Sequence, residues 1–152
     1  MLRKISKFLA LNGEEKKLFI EAYLLLGTMR AALLTISFKR LTRSLEHLKD
    51  RENSETLTEE QLQGAIMVGR AIERAANYTP WQSACLAQSL TAQRMLQKRG
   101  IPGVFYLGAM KDESAEEKMK AHSWSQCGET IITGAKGHED YTVLSVFGWG
   151  KR

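Results

Sequence analysis

A chain of 152 residues with 43% hydrophobic and 26% charged side chains has the length of one ordinary domain and can bury its own core, which excludes a wholly disordered protein. The net charge of +5 is modest, and Arg3, Lys4 and Lys7 come before any acid, so part of the excess is a basic end on a mixed surface. Two cysteines, Cys85 and Cys127, do not make a disulfide framework, and the apolar run in MLRKISKFLALNGEEKK is too short for a secretory signal; a cytoplasmic location is the default.

Residues 2–12 place Leu2, Ile5, Phe8 and Leu9 at helical spacing among lysines, and Gly13 interrupts them. From Glu14 to about Lys49 an apolar stripe through Leu18, Leu26, Leu34, Phe38, Leu41, Leu45 and Leu48 predicts a long helix, with a bend near Gly27 or at Thr35 to Ser37. Its stretch from Leu18 to Phe38 has membrane-spanning length but carries Glu21 and Arg30, so we expect no transmembrane segment. The polar run KDRENSETLT is a linker, and TEEQ (Thr58 to Gln61) reads as a capping box opening a helix to about Asn77. Pro80 forces a break, Ser83 can cap a helix over Ala84 to Arg99, and Gly100 and Pro102 stop it.

After residue 102 the period changes from helix to strand. GVFYLGAM, AHSWSQC, TIITG and YTVLSVFG read as strands, with a solvated loop at KDESAEEKMK and turns at GE and AKGHED. The expected fold is α+β: helices first, over residues 1–57 and the start of 58–152, then an antiparallel sheet of about four strands.

Chemistry concentrates on two residues. Cys85 falls in the first turn of a helix, where unpaired N–H groups and the dipole favour thiolate, although small neighbours there also suit simple packing. Strand alternation puts His122, Trp124 and Gln126 on one face and Cys127 on the other. A cysteine at a helix start together with a strand histidine points to a pair in which imidazole takes the thiol proton and the thiolate attacks a carbonyl. A third group should orient the ring. A two-residue GE turn sets His122 opposite Ala135, a neighbourhood without carboxylates, so Glu139, Asp140 or Glu129 would have to approach from turns. His47, in the predicted helix, and His138, in a turn, do not build a metal site, and no phosphate-binding glycine motif or DNA-recognition module is present. Lys39, Arg40 and Arg43 read as a solvated face that could also meet an acidic peptide, nucleic acid or anionic lipid.

Three segments carry a resemblance: FKRLTRSL, PWQSACLAQSLTAQRMLQKRGIPGVFYLGA, and AHSWSQCGETIITGAKGHEDYTVLSVFG. In combination they resemble the stand-alone leader peptidases of lasso peptide biosynthesis, members of the transglutaminase-like cysteine protease superfamily. The resemblance implies a transglutaminase/papain-like core over 58–152 behind an N-terminal helical region, 1–57. It implies Cys85 as nucleophile, His122 as base and no cofactor. It further implies a lasso precursor peptide as substrate, a discrete leader-recognition protein that delivers it, and the lasso cyclase as a further partner; nucleic acid is not expected. The superfamily's third member is an Asp whose equivalent falls near Thr133 and Gly134, so this chain departs from the pattern. Asp140 is the preferred substitute, with Glu139 or a neutral orienter as alternatives. The N–H of Cys85 is the first oxyanion donor, and Trp81, Gln82 and Trp124 are the expected oxyanion or substrate-binding residues.

Overall fold

A computed structural model describes residues 2–48, 56–79, 84–111 and 119–150. The chain runs through α1 (Leu2–Leu9), α2 (Gly13–Thr35), α3 (Phe38–Leu41), β1 (Glu46–Leu48), α4 (Glu59–Tyr78), α5 (Cys85–Lys98), β2 (Gly103–Lys111), β3 (Met119–Cys127), β4 (Thr130–Thr133), a 3-10 turn at His138–Asp140, and β5 (Thr142–Trp149). The strands form one antiparallel sheet in the order β1-β5-β2-β3-β4. The fold is α+β.

Local chemistry sets the helix ends. Asn12 and Thr58 each close a capping box, with Glu15 and Gln61 respectively, and so start α2 and α4. The long predicted helix stops at Thr35, because Ile36 is extended and Ser37 caps a new short turn by accepting from Arg40 N–H at 3.3 Å. Beyond it the expectation of helix to Lys49 is wrong: Glu46–Leu48 pairs with β5 as an edge strand, Glu46 opposite Gly148 and Leu48 opposite Val146. His47 therefore lies on a strand and not in a helix.

α2 is long and apolar enough to cross a membrane by length and composition. Its inner face buries Leu18, Ala22, Leu26 and Met29 in a core shared with α4, α5 and one face of the sheet. Glu21, costly in a bilayer, is held here by Arg99 at 2.6 Å and Lys98 at 3.6 Å; the hydrogen bond from Arg99 keeps its carboxyl below the usual carboxylate range. The outer face of α2 leaves Ile20, Leu24 and Leu34 exposed.

The sheet separates two clusters. Phe105 and Cys127 join the main core under the helices, whereas Val104, Tyr106, Trp124 and Val146 form a smaller cluster on the opposite face. Gly69 lets α4 approach β4 closely, since a Cβ there would lie 2.6 Å from the Ile132 carbonyl oxygen. One buried hydroxyl pair ties the helix layer to the sheet, Ser123 Oγ donating to Ser89 Oγ at 2.8 Å, and a second joins β3 to β4, where Ser125 Oγ pairs with Thr133 Oγ1 at 2.6 Å. Ser89→Ala or Ser123→Ala orphans its partner in a dry place and is expected to cost about 1–3 kcal/mol. Removing both is expected to cost less than the sum, in a double-mutant cycle of urea midpoints. Strict additivity would mean that the pair does not couple α5 to β3.

Candidate active site

Cys85 is the first residue of α5 and is half-buried. Ala84, not the expected Ser83, is the helix cap; its backbone is extended and it offers no side-chain acceptor. The first bond inside the helix runs from Gln88 N–H to the Ala84 carbonyl at 3.1 Å, so the N–H groups of the opening turn have no acceptor within the helix. Such N–H groups at a helix start favour a nearby anion.

The position of α5 over β3 decides what the thiol faces. Past the helix's carboxyl end, a Cβ on Gly103 would lie 2.9 Å from Cys127 Sγ, and one turn into the helix Ser89 bonds Ser123. Cys85 lies one turn before Ser89 on α5. The alternation of β3 turns the imidazole to the face opposite Ser123, where it stacks on Trp124 at 5.7 Å and meets Tyr141 at 5.1 Å. Opposite His122 on β2 is Gly108, whose missing side chain leaves room for those rings: a Cβ would lie 2.9 Å from Trp124 and from Tyr141.

The imidazole has a defined partner. His122 Nε2 lies 2.7 Å from the Gly134 carbonyl oxygen. A carbonyl only accepts, so Nε2 carries the proton and Nδ1 of the neutral ring presents a lone pair. Among the described residues no hydrogen bond links Nδ1 to the thiol, and the imidazole shares the Trp124 face of the sheet, opposite the face that Ser123 presents to α5.

The ring's hydrogen-bond partner is thus a backbone carbonyl and not a side chain. Cys127 faces Thr130 as a two-residue turn requires, but a register shift between Ser125 and Gln126 then sets Ser125 opposite Thr133, with Ile132 as the extra residue. β4 ends at Thr133, and Gly134 turns with φ +74°, which brings its carbonyl to the ring. Asp140 and Glu139 are exposed in the 3-10 turn, and Glu129 is exposed in the hairpin; none of them bonds His122. His138 instead closes on Trp124 at 5.6 Å. Sequence reasoning overlooked Gly134 as a functional position because a carbonyl leaves no residue-type signature.

Trp124 is buried under His122 and stacked on Tyr106 at 5.3 Å, so its ring supports the imidazole from below. Trp81 and Gln82 lie outside the described residues. Both cysteines are free thiols. Cys127 is fully buried on the core face, and burial pushes its thiol up to about 12. Above pH 9 the unfolded chain loses this proton while the folded chain keeps it. Stability is therefore expected to fall by up to about 1.4 kcal/mol per pH unit from that source. Cys127→Ala should flatten that slope in urea titrations between pH 9 and 11, and an unchanged slope would assign it elsewhere. Among the described residues no group of His, Cys, Asp or Glu has the make-up of a metal site.

No curated protein and no solved structure matches the chain. The family model of the transglutaminase-like superfamily matches residues 28–146, a span that contains Cys85, His122 and Gly134.

Proposed function

Since the chain belongs to the transglutaminase-like superfamily, we propose that it is a cysteine peptidase that removes the leader from a ribosomally made lasso peptide precursor. The observation that carries the reading is the His122 Nε2 to Gly134 carbonyl bond, which leaves Nδ1 with its lone pair, and a half-buried cysteine that begins a helix supports it. The motif combination around Cys85 and in AHSWSQC supports the narrower assignment to leader release.

In this mechanism His122 Nδ1 accepts the Cys85 proton. The thiolate sulfur attacks the scissile carbonyl carbon, and the carbonyl π pair moves to oxygen, where the Cys85 N–H stabilises the oxyanion. As the tetrahedral species collapses, the C–N bond breaks and the imidazolium gives its proton to the departing amine, the new amino end of the core peptide. Water, deprotonated by Nδ1, then attacks the thioester, and sulfur leaves as thiolate and recovers the proton. The carbonyl of Gly134 holds the ring through both halves and stabilises the imidazolium by its dipole, without a carboxylate's full charge.

A discrete recognition protein delivers the leader, and the freed amine passes to the lasso cyclase; the setting is cytoplasmic. An acyl transferase differs only in the second step, where an amine replaces water. The test is mass spectrometry of a lasso precursor incubated with the chain and its recognition protein, beside Cys85→Ala. Intact leader released by the wild type alone supports the proposal. Cleavage by both proteins removes Cys85 as nucleophile, and a product heavier by an added amine moves the assignment to acyl transfer.

A further inference from the structure

The sequence shows Arg40 and Arg43 as part of a basic run without a role. The fold adds a third arginine to them, because α3 and the segment after it pack beside α5. Arg40, Arg43 and Arg94 line one open cleft of about 600 Å³, together with Ile36, Leu41 and Ser44. All three arginines are exposed, and Ile36 keeps 42% of its surface free.

Ion pairs elsewhere are made: Arg74 with Glu15, and Lys98 and Arg99 with Glu21. Among the described residues no carboxylate pairs with Arg40, Arg43 or Arg94, and none lines the cleft. Among the described residues these three guanidinium groups have no counter-charge, and a ligand with carboxylates would supply one. We propose that this cleft docks an acidic, leucine-bearing segment of a partner protein.

Charge and wall chemistry favour a peptide. Nucleic acid takes a row of cations along its backbone and flat aromatic platforms for bases, whereas these arginines converge on one hollow walled by aliphatic Ile36 and Leu41. An acidic side chain beside an apolar one uses both features, the fork of each arginine on a carboxylate and the aliphatic wall on its neighbour. The location favours a partner over the molecule that reacts at Cys85. Arg94 lies nine positions after Cys85 on α5, which is about 13 Å along the helix and about half a turn around it. The cleft thus opens away from the thiol.

The test uses the full chain and involves no cleavage, so this surface and the reaction stand or fall separately. Fluorescence anisotropy is measured with a labelled peptide of alternating Glu and Leu, a Lys and Leu counterpart, a labelled oligonucleotide and phosphatidylglycerol vesicles. The acidic peptide is expected to bind saturably and to weaken with salt. Arg40→Ala, Arg43→Ala and Arg94→Ala together are expected to weaken it at least about tenfold with the circular dichroism unchanged. Lysine at all three places keeps the charge but loses the fork, and is expected to recover only part of the affinity. Absence of saturable peptide binding, or binding indifferent to the triple variant, overturns the proposal. Tighter arginine-dependent binding of the oligonucleotide or the vesicles also overturns it, and reassigns the cleft to that ligand.

Discussion

Cys85→Ser and His122→Ala are each expected to slow leader release by more than about a thousandfold, and the double variant is expected to be no slower than the worse single one. Serine keeps the shape of the site and its place at the helix start, but an alkoxide is far harder to form than a thiolate. Alanine at 122 removes the proton acceptor and the later proton donor together. Because the two side chains act in sequence on one proton, losing either disables the same step, and the losses do not add. Single-turnover cleavage followed by mass spectrometry reads the rates, and circular dichroism checks the folds. Iodoacetamide gives an independent view: Cys85 should label in the folded wild type while fully buried Cys127 stays unreacted. Full activity of His122→Ala, or losses that multiply, would remove the shared proton from the mechanism.

The second large effect concerns the backbone that orients the ring. A Cβ on Gly134 would lie 2.5 Å from the Ser123 carbonyl oxygen and 3.0 Å from Trp124 Cα, at a φ of +74° that side chains avoid. Gly134→Ala is expected to destabilise the chain by about 2 to 4 kcal/mol and to lower Tm by about 5 to 15 °C. Activity should fall further than stability explains, because the carbonyl must move away from Nε2 for the clash to be relieved. Gly134→Asp restores the superfamily's carboxylate near its usual position, yet on this backbone it meets the same wall, so it is expected to be no better than alanine. A Gly134→Asp variant that is stable and faster than wild type would show that the turn can open and that a carboxylate is the better orienter here.

Much of the fold was legible in residue patterns because its determinants are local. Thr58 and Gln61 bond within one turn, so a capping box written in sequence becomes a helix start in space. GVFYLGAM reads as a strand because a near-continuous apolar run suits a strand covered on both faces, AHSWSQC does so by its alternation, and Gly128 supplies the left-handed φ that the GE turn uses. The helical period running through Leu41, Leu45 and Leu48 misled, since three residues make a strand only when an edge such as that of β5 is free to pair with them.

Neighbours within a few positions fix the helix that begins at the cysteine, the strand face of His122, and the order of helices before sheet, and all of these are readable from the residues alone. Packing between distant segments set the rest. It shifted the β3–β4 register by one residue, brought the Gly134 carbonyl to Nε2, left Asp140 in solvent, and gathered Arg94 with Arg40 and Arg43. Those outcomes rest on a backbone carbonyl, which every residue possesses, and on packing between segments far apart in the chain, where residue type alone carries no record of who meets whom.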